Sequence, residues 1–169
     1  GVQTCALPIL LLREVSTRLN ALSRFSETFY RLGGDEFAFL SNGLTEAAAV
    51  SRAREISDSI SKPYTINNQL IKIATCVGIV LSDNERRSDY LYKFADLALY
   101  EAKKEGSQQI KVFRQRMLQK LQESRTLEND MARAIENDEF VVYYQPIVNS
   151  VSKEIYGYEA LIQIGRAHV

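Results

Sequence analysis

Along residues 10–22 the apolar positions Leu11, Leu12, Val15, Leu19 and Leu22 recur at helical spacing and predict an amphipathic helix. The period then changes. Short apolar and aromatic runs at 29–32 and 37–40 flank Gly33, Gly34, Asp35 and Glu36. Paired glycines between two such runs predict a β-hairpin, because glycine accepts the positive φ of a tight turn. Thr45 is placed to cap a second helix reaching residue 61, with Val50, Ala53, Ile56 and Ile60 as its apolar stripe and Pro63 as its stop. From 71 to 80 the period is two. Ile71, Ile73, Thr75, Val77 and Ile79 form one face of an expected strand. Lys72, Ala74, Cys76, Gly78 and Val80 form the other, small enough for a helix to lie close against it. Leu91, Phe94, Ala95, Ala98 and Ala102 define a further amphipathic helix ended by Gly106, and 110–113 reads as a short strand.

The order helix, hairpin, helix, strand, helix, strand implies an α/β (α+β) sheet domain of two or three layers over residues 10–113. At Arg114 the composition shifts. Residues 114–138 are rich in Gln, Glu, Arg and Leu, lack Gly and Pro, and carry an irregular helical stripe of Leu118, Leu121, Leu127, Met131 and Ile135, as expected of a linker helix. Runs at 140–147 and 155–164, separated by a polar turn at 149–153, read as two strands of a new unit over 139–164. Two strands cannot build an independent core, so this unit is expected to be the beginning of a domain.

Composition narrows the function classes. The 169 residues are 46% hydrophobic and 25% charged, which excludes a disordered chain, and 21 Lys plus Arg cancel 21 Asp plus Glu. No strong field draws a nucleic acid polymer or an anionic membrane, so a phosphate ligand would be held locally. The longest apolar run, 6–12, contains Pro8 and stops at Arg13, so no membrane segment is expected. Cys5 and Cys76 are too few for a disulfide framework and fit a reducing compartment. The opening GVQTCALPI has neither a start methionine nor a signal-peptide layout, and the closing GRAHV interrupts an apolar strand. Residues 1–9 and 165–169 are therefore read as non-native read-through. His168 is the sole histidine, which leaves the remainder without histidine acid/base or metal chemistry.

The segment richest in chemistry is RLGGDEFAFL, from Arg31 to Leu40. Asp35 and Glu36 sit at a glycine turn where a bulky ligand can approach the backbone, and strand alternation points the two carboxylates differently. On chemistry alone the turn could hold Mg²⁺ against a triphosphate, or could be a solvated turn using Gly and Asp for geometry. Upstream, Arg24 and Glu27 read as a surface ion pair three positions apart.

GGDEF followed by an apolar strand resembles the signature of the GGDEF family of diguanylate cyclases. Two more stretches follow in family order: IKIATCVGIV is similar to its alternating strand, and ADLALYEAKKEG to its Ala-Asp-x-Ala-x-Tyr-x-Ala-Lys-x-x-Gly helix. The resemblance covers about residues 10–113 and implies a nucleotide-cyclase-like sheet. It implies that Gly33 and Gly34 admit GTP phosphates, that Asp35 is a metal-binding catalytic carboxylate assisted by Glu36, and that Lys103 contacts phosphate. Asp96 and Tyr100 match the helix motif and are expected to be structural. Downstream, EFVVYYQPIVN and YGYEAL resemble the first strands of an EAL domain, the cyclic di-GMP phosphodiesterase, and Glu159 matches a metal-binding carboxylate of that family.

Several departures accompany the resemblance. Where the family has Gly-Arg-Asn after the helix, Gly106 is followed here by Ser107 and Gln108, which removes a phosphate-binding arginine. Arg24 and Glu27 stand at the spacing of the family's Arg-x-x-Asp product-inhibition site with Glu replacing Asp, a degenerate version. Gln163 stands where the EAL family has arginine. The family's first strand, with its Asp metal ligand, and the guanine-binding segment find no counterpart, so Asp35 and Glu36 alone are insufficient for two-metal chemistry. The expected identity is an N-terminally truncated fragment of a GGDEF–EAL cyclic di-GMP signalling protein, inactive by itself. The resemblance implies that the cytoplasmic parent, as a homodimer, condenses two GTP molecules with Mg²⁺ into cyclic di-GMP. Its EAL half would hydrolyse that product with Mg²⁺ or Mn²⁺. The alternatives are a degenerate GTP-binding module that regulates the EAL domain, and a dimerisation module built on 114–138.

Overall fold

The computed structural model describes residues 6–82 and 88–164, so Cys5, His168 and the segment 165–169 lie outside the described residues. Helix α1, Ala6–Leu22, begins before the periodic stripe. Pro8 is tolerated because it falls in the first turn, where amides have no intrahelical acceptor. Strands β1, Glu27–Gly33, and β2, Glu36–Ser41, form the expected antiparallel hairpin. Helix α2, Glu46–Ile60, is capped as predicted: the Thr45 hydroxyl oxygen accepts from the Ala48 amide at 3.3 Å. Its other end is closed by Arg18 of α1, whose guanidinium donates to the carbonyls of Ser59 (2.9 Å), Lys62 (2.7 Å) and Pro63 (3.2 Å). The same guanidinium stacks 3.7 Å from the Tyr64 ring centroid, so a cation sits where the helix dipole is negative.

Next come a hairpin and a break that the expected elements do not include. Strands β3, Tyr64–Ile66, and β4, Gln69–Ile71, pair across Asn67 and Asn68, both at positive φ (50° and 62°). Asparagine tolerates that conformation better than most residues. The strand expected over 71–80 ends at Ile71 and resumes as β5, Val77–Ile79. Residues 72–76 carry no ladder among the described residues, yet Lys72 and Ala74 are exposed while Ile73 packs on the core. Alternation assigns side chains to faces; only a neighbouring strand makes a ladder, and none pairs there.

Helix α3, Ser88–Lys104, connects β5 to β6, Ile110–Val112, which lies parallel to β5. The small face of β5 receives α3 as expected. A Cβ on Gly78 would stand 2.2 Å from the Ala95 carbonyl oxygen, and Ala98 and Ala102 are fully buried. The Phe94 and Phe113 rings stack at 4.2 Å, and Gly106, at φ 118°, ends the helix. Val15, Leu19, Ile60, Tyr64 and Ile66 form the core cluster, with Phe29, Phe37, Ile56, Ile71 and Ile73 packed on it. The fold class is mixed α/β as the sequence implies. Its described strands pair two by two, β1–β2, β3–β4 and β5–β6, instead of lying in one continuous sheet.

The chain divides into two units, Gly1–Met117 and Leu118–Val169. Helix α4, Gln115–Glu136, crosses the division, and the second unit continues with strands β7, Phe140–Val148, and β8, Ile155–Ile164, paired antiparallel. The Asn149 side chain accepts from the amides of Val151 and Ser152 and shapes the intervening turn. The expected stripe over 114–138 holds only in part: Leu118 and Leu121 are half-buried, Leu127, Met131 and Ile135 are exposed, and the buried positions of α4 are Met117 and Ala134. No described helix is long and apolar enough to cross a membrane.

Candidate functional site

Pairing of β1 with β2 forces the chain to reverse at Gly34 and Asp35, between the partners Gly33 and Glu36. Gly34 takes φ +52°, a conformation that L side chains rarely adopt, and a Cβ at either glycine would meet nothing within 4 Å. The outside of the turn is therefore open to a ligand. Arg31 closes its inside: Nε and Nη2 both donate to the Gly34 carbonyl, at 3.2 and 2.7 Å. Asp35 lies exposed at the tip, and Glu36 starts β2 half-exposed.

The long connection through α3 returns Lys103 to this turn, where its Nζ lies 3.9 Å from Glu36 Oε1. An exposed pair at that distance contributes at most about 1 kcal/mol. Its meaning is positional: turn acid and helix-end base, distant in sequence, face one place. Arg31 also lines, with Ile9, Leu12, Arg13, Ser16 and Thr17 of α1, an open concavity of about 320 Å³. Tyr100, on α3, is half-exposed beneath the Lys104 ammonium at 4.3 Å, and Asp96 is exposed.

No group of three or more His, Cys, Asp or Glu side chains that could hold a metal ion occurs among the described residues. Asp35 and Glu36 are adjacent in the chain, and a pair of carboxylates completed by phosphate and water oxygens is a donor set that suits Mg²⁺. Beyond α3, Gln108 donates to the Ser61 hydroxyl at 3.2 Å and the Cys76 thiol donates to the Gly106 carbonyl at 3.1 Å. Glu159 sits on β8 of the second unit, exposed and opposite Gln145 of β7.

Arg24 and Glu27 are not the side-chain ion pair that their spacing suggests. The Arg24 amide donates to Glu27 Oε2 at 3.0 Å, but its guanidinium reaches Glu55 of α2 at 2.7 and 2.8 Å. Glu27 is instead held by Arg52, with Nη2 at 2.6 Å from Oε2 and Nε at 2.9 Å from Oε1, and both side chains are about 95% buried. Arg52 also stands 2.9 Å from Glu55, so α2 supplies partners to both residues. The Arg52 hydrogen bond lowers the pKa of Glu27 despite the opposing effect of burial, and Arg52 likewise lowers that of Glu55. The sequence reading missed Arg31 and Arg52. Arg52 interrupts the apolar stripe beside Ala53, where a charge signals a buried partner; Arg31 immediately precedes Leu-Gly-Gly and gave no periodic signal.

A family model described as diguanylate cyclase, GGDEF domain, matches residues 10–109. The chain belongs to the GGDEF family. A second model, described as EAL domain, matches residues 128–168. This GGDEF chain is 35% identical over 156 residues to the bifunctional diguanylate cyclase/cyclic di-GMP phosphodiesterase MucR of Pseudomonas aeruginosa, covering 91% of this chain and 23% of MucR. It is 32% identical over 154 residues to the cyclic di-GMP phosphodiesterase PdeR of Escherichia coli, covering 90% of this chain and 23% of PdeR. The chain thus spans less than a quarter of either relative. Among solved structures, the GGDEF domain of TpbB (YfiN) from Pseudomonas aeruginosa matches with TM-score 0.60 and 28% identity. That match covers 66% of this chain and 67% of the solved chain, which comprises only the GGDEF domain. Enzymes of both families use divalent metal ions.

Proposed function

We propose that the first unit is part of the cyclase half of a cyclic di-GMP signalling protein and the second the opening of its phosphodiesterase half. The reaction is condensation of two GTP molecules by a homodimer, the 3′-hydroxyl of one attacking the α-phosphate of the other. The observation that carries this reading is the convergence of Lys103 and Glu36, 3.9 Å apart, on an open glycine turn tipped by Asp35. Gly33 and Gly34 leave room for phosphate oxygens against the backbone. Asp35 would hold Mg²⁺, with Glu36 assisting. Bound there, the ion would neutralise phosphate charge and lower the pKa of the attacking hydroxyl. Lys103 meets the incoming phosphates as a point charge, and its exchange from Glu36 to phosphate frees the Glu36 carboxylate for the metal.

In the second unit Glu159 would hold Mg²⁺ or Mn²⁺ for hydrolysis of the cyclic dinucleotide to linear pGpG. Nucleotide substrates place these reactions in the cytoplasm. Arg24 and Glu27 do not form a product site in this reading, because α2 already satisfies both with Glu55 and Arg52. The test is GTP turnover with Mg²⁺ by the longer protein that carries this chain, with product identified by chromatography, beside Asp35→Ala. Cyclic di-GMP lost in the variant is expected; no product from the unsubstituted protein refutes the cyclase assignment.

One observation favours a second reading, in which the unit binds GTP and regulates the attached EAL domain. Ser107 and Gln108 follow α3 where the family has an arginine, and Gln108 is turned onto Ser61. GTP that binds without turnover, yet changes the rate of cyclic di-GMP hydrolysis, would select it.

A further inference from the structure

Little in the hairpin's own backbone fixes its turn. The ladder is regular as far as Arg31↔Phe37, slips between Arg31 and Gly33, and leaves Gly33↔Glu36 as the last pair before the reversal. The turn therefore hangs from two glycines, the residues with the most backbone freedom. Apart from the flanking residues, no heavy atom of the described chain lies within 4 Å of the space that a Cβ on either would fill. The Glu36 contact with Lys103 is exposed and 3.9 Å long, too weak to hold the turn.

Arg31 supplies the missing constraint. Its guanidinium reaches across the reversal with two donors, Nε at 3.2 Å and Nη2 at 2.7 Å, onto the single carbonyl oxygen of Gly34. Two donors from one rigid planar group fix the direction of that carbonyl as well as its distance. The Gly34 carbonyl belongs to the same planar peptide unit as the Asp35 amide. Fixing one orients the other, and with it the bond from which the Asp35 side chain departs.

We infer that Arg31 is a positioning residue, a clamp on the Gly34–Asp35 peptide that fixes where the Asp35 carboxylate is presented. Its catalytic consequence rests on the cyclase reading above. Arg31 is exposed, so its replacement leaves the core untouched. A lysine at this position offers one point-like donor group in place of the planar fork and restores the clamp only in part.

Two measurements test the inference. The first needs no activity: ¹⁵N backbone order parameters of Gly34, Asp35 and Glu36 in the 169-residue chain, compared among the unsubstituted protein, Arg31→Met and Arg31→Lys. The expected values fall from the rigid range near about 0.85 to below about 0.6 in Arg31→Met, lie between these in Arg31→Lys, and stay constant in β3, β4 and α3. Unchanged order at the turn in Arg31→Met overturns the clamp. The second is GTP turnover by the longer parent. Arg31→Met is expected to lower kcat roughly 10- to 100-fold with KM within about threefold, and Arg31→Lys to recover part of the loss. A loosened turn with unchanged kcat overturns the positioning role. If the unsubstituted parent turns over no GTP, the cyclase reading fails, and the order parameters alone decide whether Arg31 clamps the turn.

Discussion

Gly78→Ala puts the packing of the first unit to its sharpest test. The added methyl would stand 2.2 Å from the Ala95 carbonyl oxygen, 2.4 Å from the Leu99 nitrogen and 2.9 Å from the Leu99 Cα. All three are backbone atoms of α3, so no side chain can swing aside. Restoring ordinary contact, which starts near 3.4 Å, moves the helix away from β5 by about 1 Å. That displacement loosens Ala98 and Ala102, which have no exposed surface, and slides Phe94 off Phe113. Overpacking costs typically 1–3 kcal/mol, and a backbone collision belongs at the top of that range, about 3 kcal/mol. For a unit of about 100 residues this lowers Tm by roughly 12 °C. Thermal unfolding followed by circular dichroism measures it, with Gly43→Ala as control. Gly43 also has positive φ (+74°) but nothing within 4 Å, so its replacement costs only backbone strain of about 1 kcal/mol. A Tm loss in Gly78→Ala within about 3 °C, or no larger than that of Gly43→Ala, refutes the close helix–strand contact.

Glu27→Gln should cost about 2 kcal/mol at pH 7, less than a wholly buried pair would lose, because Arg52 keeps Glu55 as a partner. Since Arg52 lowers the folded-state pKa of Glu27 below its ordinary 4.5, the stabilisation is present above that pH and disappears as pH falls through the depressed value. Urea titrations at pH 7 and pH 3 should therefore show the two proteins converging in acid; a pH-independent difference would sink the argument. Glu55→Gln, at an exposed position, should lower Tm much less than Glu27→Gln, and equal losses would mean that the outer pair matters as much as the buried one. Arg18→Met removes three charge-assisted hydrogen bonds from the end of α2 and should cost about 2 kcal/mol in the same titration, whereas an unchanged midpoint would show those carbonyls to be satisfied by water. Asp35→Asn should leave Tm within about 2 °C while abolishing Mg²⁺-dependent GTP turnover by the longer protein, and retained turnover would remove Asp35 from the metal role.

What the sequence makes legible depends on the range over which a residue's partners lie. Thr45, Gly34, Gly106 and the small face at Gly78 are read correctly because their constraints are local: a cap, a turn, a helix stop, a close approach. The Asn67–Asn68 hairpin carried a local signal too, but the alternation beginning at Ile71 drew the strand's start past it. The break after Ile71 has a different origin, since ladders belong to pairs of strands and period two belongs to one.

Charge is where single-sequence reasoning fails most clearly. Arg24 and Glu27 look like partners because they are near neighbours in sequence, yet each is claimed by an α2 residue, Glu55 or Arg52, far along the chain. Arg18 behaves alike, spending its donors on the end of α2. A long flexible cation reaches whatever carbonyl or carboxylate the fold brings near, and spacing along one strand or helix says nothing about those. The turn shows both cases together. Its glycines and acids are legible because turn chemistry demands them, whereas the contacts made to it, by Arg31 from within the hairpin and by Lys103 from the end of α3, become visible only once the chain has folded back. If Arg31 proves to govern the order of the Gly34–Asp35 peptide, the acidic signature is only half of the site, and its directing half lies on the strand that leads into the turn.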